Sequence, residues 1–280
     1  MRRDFGRDFA MIKICVAGAT GRMGSTVIRE ASDKGFQVVG AVAAPDDVNQ
    51  GKSLREIGLL DSDIKVLSPS RLEDAVKDAD VYMTFTTPDA EMLNIPTVVK
   101  MRKRIILGTT GFTEEQTTKI HEIISGKVPT VFSPNFSLGV NVLFKLAKLM
   151  RVFPSEYNFS ITEIHHVGKK DSPSGTAIKL GKIVTGMRGY SKVVHGRQGL
   201  SPRTPEELEV SSLRIGGVPG IHELIAAGPY EMIRIEHIAF SRSVFAQGAL
   251  YAAEWICRQD EAKVYSMEDV LASADGERYG

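Results

Sequence analysis

Ile12-Lys-Ile-Cys-Val-Ala-Gly-Ala-Thr-Gly-Arg-Met-Gly24 is the stretch that decides the fold. Ile12 to Ala17 form an apolar run suited to a strand buried on both faces. Gly18, Ala19, Thr20, Gly21, Arg22, Met23 and Gly24 follow at once, and a helical pattern continues through Val27, Ile28 and Ala31. Glycines at a strand end let the backbone turn sharply and approach a pyrophosphate, which then rests on the amides of the helix N-terminus. A glycine triplet alone is a weak signal. Strand, turn and helix in this order point to dinucleotide binding.

Outward from this stretch, the next strand is Gln37 to Ala43, where an NAD enzyme usually places an acid for the adenosine ribose. Here the chain reads Ala44-Pro45, with Asp46 and Asp47 slightly late. Less repulsion then meets a 2′-phosphate, with Arg22 and Lys52 as candidate partners, so the expectation leans to NADPH while leaving NADH open. Strand and helix patterns alternate through Ile64–Leu67, Leu72–Asp78, Val81–Phe85, Ala90–Arg102, Arg104–Leu107 and Glu114–Ser125. This alternation predicts a Rossmann-like, doubly wound parallel sheet of the α/β class. Ligands of such sheets lie outside the carboxyl ends of the strands, where Gly108, Thr109 and Thr110 are expected to line the nicotinamide ribose.

Val128 to Phe132 and the segment Ser133-Pro134-Asn135-Phe136 close the first half, giving a dinucleotide-binding domain over 11–136. A helix then starts along Val140, Leu143, Phe144, Ala147 and Leu149. Strand-like segments dominate afterwards: Asn158–Ile164, Glu209–Ile215, Ile221–Ala227 and Tyr230–Ala239, with Gly228-Pro229 as a turn. Residues 137–243 are thus expected to form a C-terminal α+β domain with an open mixed sheet for substrate binding and oligomerisation. Few helices remain to cover that sheet, so a face or edge should meet another subunit. The closing segment, 244–280, is expected as a helix that completes the first domain.

Within the second half lies Glu163-Ile-His-His-Val-Gly-Lys-Lys-Asp-Ser-Pro-Ser-Gly-Thr176. It joins an alternating strand (Phe159, Ile161 and Glu163 against Ser160, Thr162 and Ile164) to a helix with Ala177, Leu180, Ile183, Val184 and Met187. Such a connection presents imidazole and ammonium groups beside the unpaired amides of a helix start, which suits a carboxylate substrate and a proton donor. His165 and His166 are adjacent, so on a strand they point to opposite faces, and no third ligand accompanies them; a metal is not expected.

Composition sets bounds. Hydrophobic content of 42%, charged content of 25% and a net charge of +1 are ordinary for a globular protein and give no pull toward nucleic acid or membrane. Cys15 and Cys257 lie in apolar patterns and read as packed thiols of a reducing, cytoplasmic compartment. Residues 1–10 are polar and unpatterned and are expected to be a disordered leader.

These motifs together resemble the 4-hydroxy-tetrahydrodipicolinate (dihydrodipicolinate) reductase family. The resemblance is carried by Val16–Gly24, Gly108-Thr-Thr-Gly-Phe112, Pro134–Val142, Glu163-Ile-His-His166, Lys169, Asp171–Thr176 and Ser241–Ala249. It implies hydride transfer from NADPH or NADH to a cyclic unsaturated dicarboxylate, giving tetrahydrodipicolinate in lysine and diaminopimelate biosynthesis. It implies His165 as proton donor or acceptor and Lys169 as its partner acid. His166, Ser174, Gly175 and Thr176 would hold the substrate carboxylates. Gly18 to Gly24, Phe85, Gly108, Thr109, Thr110, Ser133, Pro134, Asn135 and Phe136 would line the cofactor. A homotetramer built through the second sheet is also implied. Ala44 and Thr87 depart from the best-known members, which bears on cofactor preference. The rivals are another two-domain amino-acid dehydrogenase and a non-catalytic dinucleotide-sensing protein.

Overall fold

The computed structural model describes residues 11–276. The expected leader, 1–10, and the last four residues of the expected closing helix, 277–280, lie outside the described residues. The chain forms two compact units: one ends at Phe136 and resumes at Phe245, and the other is Ser137–Val244. In chain order the first unit contributes β1 (Ile12–Ala17), α1 (Arg22–Asp33), β2 (Phe36–Val42), β3 (Val66–Leu67), α2 (Leu72–Val76), β4 (Val81–Thr84), α3 (Pro88–Lys100), β5 (Arg104–Leu107), α4 (Glu114–Ile124) and β6 (Thr130–Phe132). The second contributes α5 (Leu138–Leu149), β7 (Asn158–His165), α6 (Gly175–Arg188), β8 (Lys192–Val194), β9 (Glu207–Arg214), β10 (Gly220–Ala227) and β11 (Met232–Ala239). The chain closes with α7 (Ser243–Ile256), β12 (Val264–Tyr265) and α8 (Met267–Gly276).

The first sheet has the order β12-β6-β5-β4-β1-β2-β3, and every pairing in it is parallel. This is a Rossmann-like, doubly wound sheet, with β1 and β4 neighbours at the point where strand order reverses. Ile14, Cys15, Val16 and Ala17 are fully buried, as a strand covered on both faces requires. Thr87 caps α3 through the Ala90 amide and Pro88 occupies its first turn, so the helix starts two residues earlier than its apolar pattern suggests. The helix also passes through Pro96.

The second sheet is mixed, in the order β11-β10-β7-β9-β8. β10 pairs antiparallel with β7 and β11, while β9 pairs parallel with β7 and β8. One face packs under α5 and α6 through Phe144, Leu180, Val184, Phe159, Ile161, Leu208 and Leu224. The other face leaves Leu213 and Ile238 exposed.

Besides the start of α3, three details differ from the sequence-based expectation. The Gly228 amide bonds the Glu231 carbonyl, so the turn consumes Tyr230 and β11 starts at Met232. β8 and β12 have three and two residues and exist through pairing alone, too short to leave a local pattern. The segment after Val244 is therefore two helices separated by a strand, where a single helix was expected: β12 extends the first sheet beside β6.

Candidate active site

In the first unit the glycine turn is shaped for close approach. Gly18 has φ +75°, and a Cβ there would meet the Phe85 carbonyl oxygen at 2.6 Å. A Cβ on Gly24 would fall 2.1 Å from the Gly18 carbonyl oxygen, so α1 comes this near its own turn only with glycine. Gly21 is the N-cap of α1 and offers no side chain, and the first turn, with Arg22 and Met23, carries no acid. By contrast α4 is closed by a capping box from Thr113 and Gln116. The α1 arrangement fits a dinucleotide pyrophosphate, which would take up the amides left unsatisfied at a helix start.

Other predicted cofactor residues collect at the carboxyl ends of the same strands. The Phe85 ring lies against Gly108 and edge-on to Phe136, 6.2 Å between ring centres. Thr109 is buried and accepts the Thr86 amide at 3.0 Å. The Ser133 hydroxyl donates to the Asn135 carbonyl at 2.8 Å. Thr110 and Pro134 are exposed at these loops. Ala19 is buried behind the turn, and the Thr20 hydroxyl donates to the Asp47 carboxylate. Asp47, which follows β2 by five residues, is thereby tied to the glycine turn.

In the second unit the inward side chains of β7 are Phe159, Ile161, Glu163 and His165. The first two enter the core; the last two place a carboxylate and an imidazole at the polar end of the same face. Glu163 is fully buried. Arg214, from β9, donates from Nη2 to Oε1 at 2.8 Å and from Nη1 to Oε2 at 3.0 Å. The Ser174 amide donates to Oε1 at 3.2 Å, and Oε2 also bonds His165 Nδ1. Burial alone would raise the Glu163 carboxyl, but the Arg214 guanidinium and the His165 hydrogen bond outweigh it and bring it down to about 2. Burial likewise lowers His165; Glu163 opposes this, while the charges of Lys169 and Arg214 add to it, and the imidazole titrates below its ordinary value.

A second imidazole stands beside the first. His222, on β10, is the Cα partner of Glu163 and meets His165 edge-on at 5.1 Å between ring centres. Its Nε2 lies 3.0 Å from Ser174 Oγ, and the same oxygen accepts the Ala177 amide as the N-cap of α6. Burial, then the charge of His165, push His222 down to about 3. His237, its Cα partner on β11, lies 3.2 Å from the hydroxyl of Ser137, the N-cap of α5. Each helix covering the sheet is thus capped by a serine that also holds an imidazole of the sheet.

Of the residues predicted from sequence, His165 and Ser174 meet through Glu163, and Gly175 and Thr176 open α6 next to them without an acid in its first turn. His166 leaves the strand with its amide on the Val218 carbonyl. The Lys169 ammonium bonds both oxygens of Asp171, at 2.8 and 2.9 Å. Among the described residues, neither the His166 ring nor the Lys169 ammonium joins the hydrogen bonds around Glu163. Arg214, His222 and the role of Glu163 were not anticipated. One signal was available: Glu163 falls in register with Phe159 and Ile161, a charge on an apolar strand face, which demands a buried partner.

The chain matches the model described as dihydrodipicolinate reductase, N-terminus, over residues 12–136 and the one described as dihydrodipicolinate reductase, C-terminus, over 139–271. It is 40% identical over 268 residues to the 4-hydroxy-tetrahydrodipicolinate reductase of Methanosarcina barkeri, covering 93% of this chain and 99% of that one. To the enzyme of the same name from Aquifex aeolicus it is 41% identical over 264 residues, covering 93% and 98%. In structure it is similar to a dipicolinate-bound dihydrodipicolinate reductase from Paenisporosarcina sp. TG-14, with TM-score 0.70 and 22% identity over 94% of this chain and 100% of that one. An amine dehydrogenase from Mycobacterium smegmatis shares the fold at TM-score 0.62 and 13% identity, covering 91% and 95%, so fold alone does not choose the reaction. Sequence does choose, for both halves match one family's models: the chain belongs to the dihydrodipicolinate reductase family.

Proposed function

We propose that this protein reduces a cyclic unsaturated dicarboxylate to tetrahydrodipicolinate, the 4-hydroxy-tetrahydrodipicolinate reductase reaction of its curated relatives. The observation that carries the reading is the buried Glu163–His165 pair beside the N-terminus of α6, whose first turn holds no acid. When bound, NADPH or NADH supplies the hydride, and Gly18 to Gly24 would hold its pyrophosphate. Reduction of a conjugated imine leaves an enamine, whose carbon must then take a proton. His165 provides it, and the Gly175 and Thr176 amides with Ser174 and His166 hold the carboxylates. The two substrate carboxylates raise the His165 pKa on binding, offsetting the burial that keeps it neutral in the free protein. Lys169 stabilises developing negative charge.

The test generates the substrate in place from pyruvate and aspartate semialdehyde with a synthase and follows nicotinamide absorbance. Oxidation should depend on the synthase and fall at least about a hundredfold in His165→Ala, the loss expected for a general acid. Folded, cofactor-binding protein that oxidises neither NADPH nor NADH would overturn the reaction and favour a dinucleotide-sensing role.

Three finer readings belong to the same proposal. Ala44 leaves room for a 2′-phosphate while the Asp47 carboxylate at the glycine turn works against one, so either cofactor binds, with only a small preference for NADPH. The open face of the second sheet, with Leu213 and Ile238 exposed, supports a homotetramer, which light scattering on the purified protein would measure. Cys15 and Cys257 are free thiols, in keeping with a cytoplasmic setting, and among the described residues no helix is long and apolar enough to cross a membrane.

A further inference from the structure

We infer that Glu163 is a positioning residue for proton transfer: it holds His165 as the Nδ1–H tautomer, so that Nε2 surrenders the proton, and it ties that imidazole to the helix start that receives the substrate carboxylate. The inference rests on the reaction proposed above.

Both oxygens of Glu163 are committed. Oε1 takes Arg214 Nη2 and the Ser174 amide, while Oε2 takes Arg214 Nη1 and His165. An ionised carboxylate only accepts, so the hydrogen between it and His165 must sit on Nδ1. Around the ring, β7 fixes one side and the edge-on His222 another. A Cβ at Gly220 would lie 3.1 Å from His165 Nε2, so the absence of a side chain there keeps the Nε2 edge clear. The proton balance agrees. Imidazolium carries hydrogen on both nitrogens; the Nε2–H bond breaks as the C–H bond forms on the substrate, and the Nδ1–H stays with Glu163. What remains is the neutral tautomer that Glu163 stabilises, ready to be reprotonated at Nε2 by solvent. Because the Ser174 amide shares Oε1, the proton donor and the N-cap of α6 are referenced to a single carboxylate.

The experiment is nitrogen-15 NMR of histidine-labelled wild-type protein, with His165 assigned by its loss in His165→Gln. Above the His165 titration, Nδ1 should be protonated and Nε2 bare. An Nε2–H tautomer in active wild-type protein would overturn the inference while leaving the reductase reading intact; absent activity with the expected tautomer would do the reverse. In Glu163→Gln the His165 midpoint should fall by at least about one pH unit, since an opposite charge is lost. The kcat at pH 7 should fall at least about tenfold, with KM changed less than about threefold. A purely structural role would lower stability with the midpoint unmoved, and that result refutes positioning. Since Glu163→Gln strands the Arg214 charge, Glu163→Gln/Arg214→Met is measured beside it, and loss of the single tautomer is expected there too.

Discussion

Asp47 and Glu163 are both carboxylates held by hydrogen-bond donors, and burial gives them different work. Asp47 is half-buried. Burial raises its carboxyl, and the Thr20 and Asn49 hydrogen bonds, with the nearby Lys52 charge, more than reverse that, so it stays ionised beside the glycine turn. Asp47→Asn keeps the shape and removes the charge. By equilibrium titration of nicotinamide fluorescence, the ratio of NADPH to NADH affinity should rise about tenfold, the equivalent of about 1.4 kcal/mol. An unchanged ratio would reduce Asp47 to a loop cap. This acid was legible as a late carboxylate after β2, but its bond to Thr20 was not, because the four intervening residues set no direction by themselves. Glu163 was legible as a misplaced charge, and its partner Arg214 was not, since 51 residues separate them.

At the level of elements, α1 and α6 both begin at the end of a strand-to-helix connection, and both present amides to an anion in the proposed reaction. They differ in how they are closed. Ser174 caps α6 and also engages His222, so Ser174→Ala should lower the urea midpoint by an amount equivalent to about 1 kcal/mol. It should also raise KM for the dicarboxylate more than it lowers kcat, as the helix start loses its reference to the sheet. α1 has no side-chain cap and depends on contact instead. A Cβ at Gly24 would penetrate the Gly18 carbonyl. Gly24→Ala should therefore displace α1, cost about 1–3 kcal/mol in thermal or urea unfolding, and weaken dinucleotide binding measured by calorimetry. Retained affinity in that variant would show that the turn does not grip the pyrophosphate.

For the whole molecule the buried histidines make a pH signature. His222 stays neutral when folded down to about 3, whereas the unfolded chain takes that proton near its ordinary value of about 6.5. Protons then favour the unfolded state, so stability falls as pH drops through this window. His165 and His237, also lowered by burial, act in the same direction. Glu163, about 2 when folded, adds a further loss between about 4.3 and 2, of order 3 kcal/mol. Buried Glu91 opposes them: its carboxyl is raised by burial, so its contribution grows as pH falls. With His222 lowered to about 3, the urea midpoint should decline below about 6.5. His222→Gln should flatten the upper part of that decline; an unaltered profile would mean that another group sets it.

Local chemistry was enough for the sequence to determine the start of the first unit: apolar run, turn glycines and helix pattern follow each other within a few residues, so β1, the turn and α1 were readable directly. The same holds for the start of α6, where Ser174, Gly175 and Thr176 are a local cap. Only the tertiary structure decided what surrounds His165. Arg214 arrives from β9 and His222 from β10 because the register of the mixed sheet sets Arg214 opposite His165 and His222 opposite Glu163. A carboxylate on an apolar strand face announces that it must be paired, since isolated burial of its charge is costly. Which residue pairs it depends on strand register, and that is settled by packing across the whole sheet.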